Sequence, residues 1–357
     1  MSMRIVVATG GTGGHIFPAL QTACVLRDHG HKIIFIGSLG LGEEKVKAQG
    51  FQARVISARG LTDRSLIGVL TFGFSMLQAI AQSMQALKQE KPDKVIGFGG
   101  YGSFAIVLAA QFLNIPTMIH EQNVIPGKAN RFLAGLVKKV AISFSETRNY
   151  LNPKKTIWTG CPCHQGQPLE SREVLLKKFS LDPARKTILV LGGSQGSQRL
   201  NEVFFEMMSS YKEQGLQAIH MTGKKEYSLY VDKYRNSSLP VKVFEFISPI
   251  EEAYAISDVV IARAGAATVS ELGFFAIPSI FVPYPLADGH QKHNAQVLCE
   301  LGLAQMVEQK DLTKDSLKNA LHIFLSSDFD RKSWALKTKE SFKDFPAQEL
   351  ARALEGL

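Results

Sequence analysis

The sequence predicts an α/β protein built from two Rossmann-like parallel-sheet domains whose ligand loops face an interdomain cleft. Three observations carry this. Apolar strand-length runs alternate with helical patterns along the chain, as in successive β-α-β units. Two of the runs, Ile5-Val6-Val7-Ala8 and Thr187-Ile188-Leu189-Val190-Leu191, feed glycine-rich loops: Gly10-Gly11-Thr12-Gly13-Gly14-His15 and Gly192-Gly193-Ser194-Gln195-Gly196-Ser197. These copies lie about half the chain apart, and 357 residues suit two domains.

The elements follow in order. Strands are expected at 4–8, 32–36, 53–56, 94–98, 117–120 and 139–142, with helices at 18–29, 43–49, 66–88 and 104–113. Pro18 marks the start of the first helix, since proline suits an opening position. Turn formers at Trp158-Thr159-Gly160-Cys161-Pro162 set the boundary, giving a first domain of 1–160 and a second of 161–331. The second has strands at 187–191, 217–221, 241–244, 259–262, 279–282 and 304–307, and helices beginning near 199, 249, 268, 291 and 315. Residues 332–357 are helical in pattern and are expected to pack back on the N-terminal domain.

Composition narrows the class. Hydrophobic residues are 45% and charged residues 20%, enough to build two cores and too few charges for a disordered chain. Four cysteines make no disulfide framework, and Cys161-Pro162-Cys163 lacks the two-residue spacer of redox and zinc motifs. A strand beginning at Arg4 with no signal peptide before it points to a reducing cytoplasm. The net charge of +9 fits an anionic partner, but it is spread out, with no Lys/Arg run and no zinc-finger or RNP signature, which argues against nucleic acid.

Glycine leaves backbone N–H groups bare, and a following helix adds its positive end, so each glycine loop suits a diphosphate. A tight turn is the bland alternative for either loop alone. The first loop also ends in His15, a proton carrier near neutral pH. Dinucleotide chemistry fits poorly at the first loop: Gly11-Thr12-Gly13 is followed by Gly14-His15-Ile16, so the third glycine of G-x-G-x-x-G is missing there, and the second strand ends Phe35-Ile36-Gly37-Ser38, without an acid. No Walker string or metal-ligand spacing occurs.

A sugar-nucleotide site remains. Arg263-Ala264-Gly265-Ala266-Ala267-Thr268-Val269-Ser270-Glu271 reads as a strand end, a small-residue turn and a helix start. Its N–H groups suit a diphosphate, Thr268 and Ser270 add hydroxyls, and Glu271 is the right type to accept two ribose hydroxyls. A helix cap with Glu271 near the positive end is the structural alternative. Asp288-Gly289-His290-Gln291-Lys292-His293-Asn294 suits sugar hydroxyls. The apolar run Leu66 to Leu77 is shorter than the ~20 residues a membrane span needs. It is either a core helix or an interfacial one, with Arg59, Arg64 and Lys88 on lipid head groups.

As a set, these strings resemble the MurG family of bacterial GT-B glycosyltransferases. The matches are Gly10 to His15 with Ile16-Phe17-Pro18, Gly99-Gly100-Tyr101, His120-Glu121-Gln122-Asn123, Gly192 to Gly196, Ala266 to Glu271, and Asp288 to Ala295, in family order. The resemblance implies a GT-B fold and transfer of N-acetylglucosamine from UDP-GlcNAc to the muramyl 4-hydroxyl of lipid I, with anomeric inversion, to form lipid II. It implies His15 as catalytic base. Donor binding falls to Thr12, Gly13, Gly14, Asn123, His164, Ser194, Ile247 (near the uracil), Ala266, Ala267, Thr268, Val269, Ser270, Glu271 and Gln291. The lipid I side takes Gly13, Gly14, Gly99, Gly100 and Tyr101, and the membrane patch Ile67, Leu70, Phe72 and Phe74. No cofactor is required, and stimulation by a divalent cation is compatible. Expected partners are UDP-GlcNAc, lipid I, an anionic cytoplasmic membrane surface and other cell-wall synthesis proteins, with peripheral attachment to the inner membrane. The chain departs from the family at the junction, where Gly160-Cys161-Pro162-Cys163-His164 replaces the common Gly-Asn-Pro-Val-Arg. His164 offers fewer donors than a guanidinium at the donor phosphates. A non-catalytic sugar-nucleotide or lipid-carrier binding protein on the same fold is the rival reading.

Overall fold

A computed structural model describes residues 2–40, 42–57, 65–163, 166, 168–192, 196–211, 215–285, 289–326 and 331–357, except for the side chains of Leu66, Ile67, Val69, Arg331, Lys332 and Ala335. The chain forms two compact units, Met1–Cys163 with Phe345–Leu357, and His164–Asp344.

The first unit holds strands β1 (Arg4–Gly10), β2 (Lys32–Ser38), β3 (Gln52–Val55), β4 (Lys94–Gly97), β5 (Thr117–Glu121), β6 (Lys139–Ile142) and β7 (Thr156–Trp158). They form one parallel sheet in the order β3-β2-β1-β4-β5-β6-β7. Its helices are α1 (Gly13–Asp28), α2 (Gly42–Ala48), α3 (Leu66–Glu90), α4 (Gly100–Phe112) and α5 (Lys128–Ala134). Ile5 to Ala8 are all fully buried because both sheet faces are covered, which is why β1 reads as an unbroken apolar run. Val6, Ala8, Ile34 and Ile36 pack under α3, α4 and α5. Ile5, Val7, Ile33 and Phe35 pack against α1 and Val46 of α2.

The second unit repeats the plan with β8 (Lys186–Leu191), β9 (Leu216–Met221), β10 (Val241–Phe244), β11 (Val259–Ala262), β12 (Ser279–Phe281) and β13 (Ala304–Met306), parallel in the order β10-β9-β8-β11-β12-β13. Its helices are α6 (Arg172–Lys178), α7 (Gln198–Ser209), α8 (Tyr227–Ser237), α9 (Ile250–Ile256), α10 (Ala266–Phe274), α11 (His290–Glu300), α12 (Lys314–Leu325) and α13 (Arg331–Ser341). A last helix, α14 (Pro346–Glu355), belongs to the first unit, where Leu350, Ala351 and Leu354 are fully buried in the core beside α1.

The tail differs from the sequence expectation. Only α14 returns to the first unit; α13 stays with the second, where Phe342 faces Gly273 and Trp334 faces Gly302. The first helix also differs. It starts at Gly13, so Pro18 lies inside it and His15 in its opening turn. Gly14 loses its usual i+4 hydrogen-bond partner at Pro18, because proline has no N–H. Likewise α4 begins at Gly100, placing Gly100 to Ser103 on a helix rather than in a loop.

In each sheet the connections reverse direction beside the central strand, at β1/β4 and at β8/β11. Ligands of open parallel sheets bind at such switch points, beyond the carboxyl ends of the strands. The loops after β1, β4, β8 and β11 are the glycine- and alanine-rich ones singled out by sequence.

Candidate active site

At the first switch point, β1 and β4 deliver their loops to each other. The Gly10 N–H donates to the Gly99 carbonyl at 3.1 Å. Gly99 and Gly100 have φ of +90° and +83°, where side chains are strained, and a Cβ on Gly99 would sit 3.1 Å from His15 Nε2. The bare glycine backbone therefore gives the imidazole its space. Thr12 is the N-cap of α1, yet its side chain makes no capping bond. Its hydroxyl pairs instead with His15 Nδ1 at 2.9 Å. His15 is half-buried, and burial pulls its pKa down to about 4, so the ring is neutral at pH 7. Gly13 and Gly14 open α1, ahead of the first helical bonds, in which the N–H groups of His15 and Ile16 both donate to the Thr12 carbonyl at 3.0 Å. Tyr101 is exposed and stacks edge-on against Phe72, with centroids 5.9 Å apart.

The loop after β5 is organised by Glu121. Its buried carboxylate accepts from Asn123 N (2.9 Å), Asn123 Nδ2 (3.2 Å), Gly127 N (3.0 Å) and Asn130 Nδ2 (2.9 Å). Burial pushes its pKa up, and the four N–H donors pull it back. Asn123, expected on the donor sugar, has its amide engaged by Glu121, so its first task here is to shape the loop. His120 is fully buried, donates from Nε2 to the Gly160 carbonyl at 3.1 Å, and is held neutral by burial, with a pKa of about 4.

At the second switch point, Gly265 is the N-cap of α10 and offers no side chain, leaving the first N–H groups of the helix to a ligand. Arg263 holds the surrounding loops together. Nη1 donates to the Val282 carbonyl (2.8 Å), and Nη2 to Ser197 Oγ (2.7 Å) and Gln309 Oε1 (2.6 Å). Gln291 Oε1 accepts from the backbone N–H groups of Ala264 (3.2 Å) and Tyr284 (2.9 Å). Two backbone donors fix the orientation of that amide, so the NH₂ group is the part of Gln291 directed away from them.

The stretch Ala266 to Glu271 divides by helix face. Ala266, Ala267 and Thr268 sit in the opening turn, with Ala267 and Thr268 half-buried. Val269 is fully buried in the core, so its side chain is not a donor contact. Ser270 is also buried, and its Oγ has no hydrogen-bond partner among the described residues. Glu271 lies beyond the first turn, which removes the helix-cap alternative, and its Oε2 accepts from the Tyr254 hydroxyl at 2.7 Å. Ile247, expected near the uracil, buries its side chain; Phe246 beside it is the exposed one. Ser194, His164 and Asp288 lie outside the described residues, as does the side chain of Ile67.

The membrane-facing expectation is sharpened and partly corrected. Along α3, Leu70, Phe74 and Leu77 are each about two-thirds exposed (66%, 65% and 67%), whereas Ala79, Ser83, Ala86 and Leu87 are buried. Phe72 is half-buried on Tyr101 rather than presented to solvent. Among the described residues no helix is long and apolar enough to cross a membrane.

Sequence reasoning did not single out Tyr254, or the organising roles of Glu121 and Arg263. Glu121 stood inside a quoted string with Asn123, but two of its four donors, Gly127 N and Asn130 Nδ2, lie beyond that string.

Comparison with known proteins gives a consistent result. The glycosyltransferase family 28 N-terminal domain matches residues 5–142, and the family 28 C-terminal domain matches residues 187–349. A relative from Thermodesulfovibrio yellowstonii, named UDP-N-acetylglucosamine--N-acetylmuramyl-(pentapeptide) pyrophosphoryl-undecaprenol N-acetylglucosamine transferase, is 34% identical over 99% of both chains. One of the same name from Halothermothrix orenii is 36% identical over 99% of this chain and 98% of its own. Among solved structures, MurG of Acinetobacter baumannii aligns with a TM-score of 0.78 at 27% identity, covering 99% of this chain and 100% of its own. The glycosyltransferase of kitacinnamycin aligns with a TM-score of 0.75 at 16% identity, covering 100% and 99%, a likeness of fold.

Proposed function

We infer the reaction from a plain premise: this chain belongs to glycosyltransferase family 28, among the UDP-N-acetylglucosamine--N-acetylmuramyl-(pentapeptide) pyrophosphoryl-undecaprenol N-acetylglucosamine transferases. It is a hexosyltransferase that moves N-acetylglucosamine from UDP-GlcNAc to the 4-hydroxyl of lipid I, with inversion, to give lipid II. The observation that carries this reading is the uncapped N-terminus of α10 at the second switch point, with Glu271 behind it. A leaving UDP gathers negative charge as the glycosidic bond breaks, and preorganised N–H donors stabilise that charge without rearranging. Glu271 accepts the ribose hydroxyls, and the Gln291 NH₂ group donates to the sugar. The reading requires no cofactor, and a divalent cation on the departing diphosphate is compatible with it.

The acceptor hydroxyl has to lose a proton as it attacks the anomeric carbon. A neutral His15 takes that proton. In the tautomer whose Nδ1–H donates to the Thr12 oxygen, Nε2 carries the lone pair and serves as base. In this reading Gly13, Gly14, Gly99, Gly100 and Tyr101 line the lipid I side.

Attachment to an anionic cytoplasmic membrane surface is the companion proposal. Leu70, Phe74 and Leu77 of α3 are exposed, as are Phe112 of α4, Phe132 of α5 and Leu136 just after it, and Lys128 and Arg131 of α5 are exposed too. Apolar side chains flanked by basic ones suit a helix lying in the interface.

The deciding experiment is transfer of labelled N-acetylglucosamine from UDP-GlcNAc to a lipid I analogue. The expected product is β-linked, and Glu271→Ala is expected to raise the Michaelis constant for UDP-GlcNAc more than it lowers turnover, because ribose contacts persist from ground state to transition state. No transfer to the analogue by the intact protein overturns the reaction, and an unchanged Michaelis constant overturns the role of Glu271.

A further inference from the structure

We propose that Tyr254 is a positioning residue for donor recognition: its hydroxyl holds the Glu271 carboxylate in the orientation that accepts a ribose diol, and so sets the preference for a ribonucleoside over a 2′-deoxyribonucleoside diphosphate. This rests on the assignment of Glu271 to the ribose.

Glutamate has three rotatable side-chain bonds, and a carboxylate accepts a vicinal diol well only when both oxygens face it. Something has to select that rotamer. Glu271 leaves α10 beyond its first turn and is only 7% exposed. Tyr254 approaches from a different helix, α9, and its hydroxyl donates to Oε2 at 2.7 Å, a well-formed O–H···O bond. The tyrosine is itself fixed: it is 1% exposed, and its ring lies 5.4 Å from that of Phe275 at 45°. A rigid aromatic lever therefore ends on one oxygen of a flexible acid. An ionised carboxylate has about four acceptor sites, of which the tyrosine takes one.

A purely structural bond between α9 and α10 makes a different prediction, and binding of UDP and 2′-deoxy-UDP separates the two. Titration calorimetry on the full chain compares the wild type, Tyr254→Phe, Glu271→Ala and the double variant, with thermal melts as a folding control. The wild type is expected to prefer UDP. Tyr254→Phe is expected to narrow the UDP to 2′-deoxy-UDP affinity ratio by roughly tenfold, the scale of a hydrogen bond to a charged group, while 2′-deoxy-UDP itself binds nearly as before. Glu271→Ala is expected to abolish the preference, and Tyr254→Phe added to it to change the ratio no further.

If Glu271→Ala keeps the wild-type ratio, the ribose assignment falls and this proposal with it. If Glu271→Ala collapses the ratio and Tyr254→Phe keeps it, or weakens both ligands equally, the ribose assignment stands and the positioning role is overturned. Should Tyr254→Phe not fold, Glu271→Gln and Glu271→Gln/Tyr254→Phe carry the same test, because neither strands a buried charge. The ratio then has to fall when the hydroxyl is removed, and equal ratios overturn the proposal.

Discussion

In the proposed mechanism the residue that takes the acceptor's proton is His15. Burial holds it neutral, with a pKa of about 4 rather than the usual 6.5. The base form is thus complete at neutral pH and is lost only as pH falls toward 4. The expected pH–rate profile for kcat/KM is flat from about 6 to 8 with its acid limb near 4; a limb centred near 6.5 argues against the geometry described. His15→Ala is expected to lower turnover by ~10²–10⁴-fold, a usual range for a positioned base, with UDP binding retained. This residue was legible in the sequence because it ends a glycine string after an apolar strand. Its partner geometry was not: Thr12 looks like a helix cap, and only the fold shows its hydroxyl turned to the imidazole. Tyr254 and Glu271 stand 17 residues apart on separate helices, a pairing that no local pattern encodes.

Among the elements, α3 divides its labour along its length. Its later turns bury Ala79, Ser83, Ala86 and Leu87, and its earlier turns show Leu70, Phe74 and Leu77 to solvent. Replacing those three by serine is expected to leave the melting temperature nearly unchanged and to weaken binding to anionic liposomes by about a thousandfold or more, since each large apolar side chain buried is worth about 1.5–3 kcal/mol and each 1.4 kcal/mol is about tenfold. Unfolding of the variant, or binding as before, places the lipid contact elsewhere. Most strands were legible because a sheet covered on both faces demands continuous apolar runs, as at Ile5 to Ala8. Strand β7 was missed: it is three residues long, Thr156–Trp158, at the sheet edge, and each residue is half-buried. The start of α1 was misplaced because two glycines and a proline argue locally against a helix, while tertiary packing of Ile16, Ala19, Leu20 and Ala23 imposes one.

At the scale of the molecule, the first unit is closed by a helix from the far end of the sequence. Glu355 of α14 accepts from His29 Nδ1 (2.7 Å) and His31 Nε2 (3.0 Å). The Met3 N–H donates to His31 Nδ1, so the proton of that ring sits on the nitrogen facing Glu355. Burial pushes the Glu355 carboxyl up, but the two imidazoles outweigh it and hold its pKa below the usual carboxylate value. A depressed folded pKa gives stability that is present above the unfolded value, about 4.3–4.5, and lost as pH falls through the folded one. Melting curves from pH 7 to 3 are expected to show Glu355→Gln less stable at pH 7, by no more than about 1 kcal/mol given its partial exposure. The gap should close in acid, and a constant gap excludes the clasp. The same closure orders events during synthesis. A ribosome releases the first 163 residues long before residues 345–357 exist, and the whole second unit is translated in between. Until then the surface of α1 that receives Leu350, Ala351 and Leu354 has no cover, so the nascent first unit waits, incomplete and sticky, for the last helix to arrive.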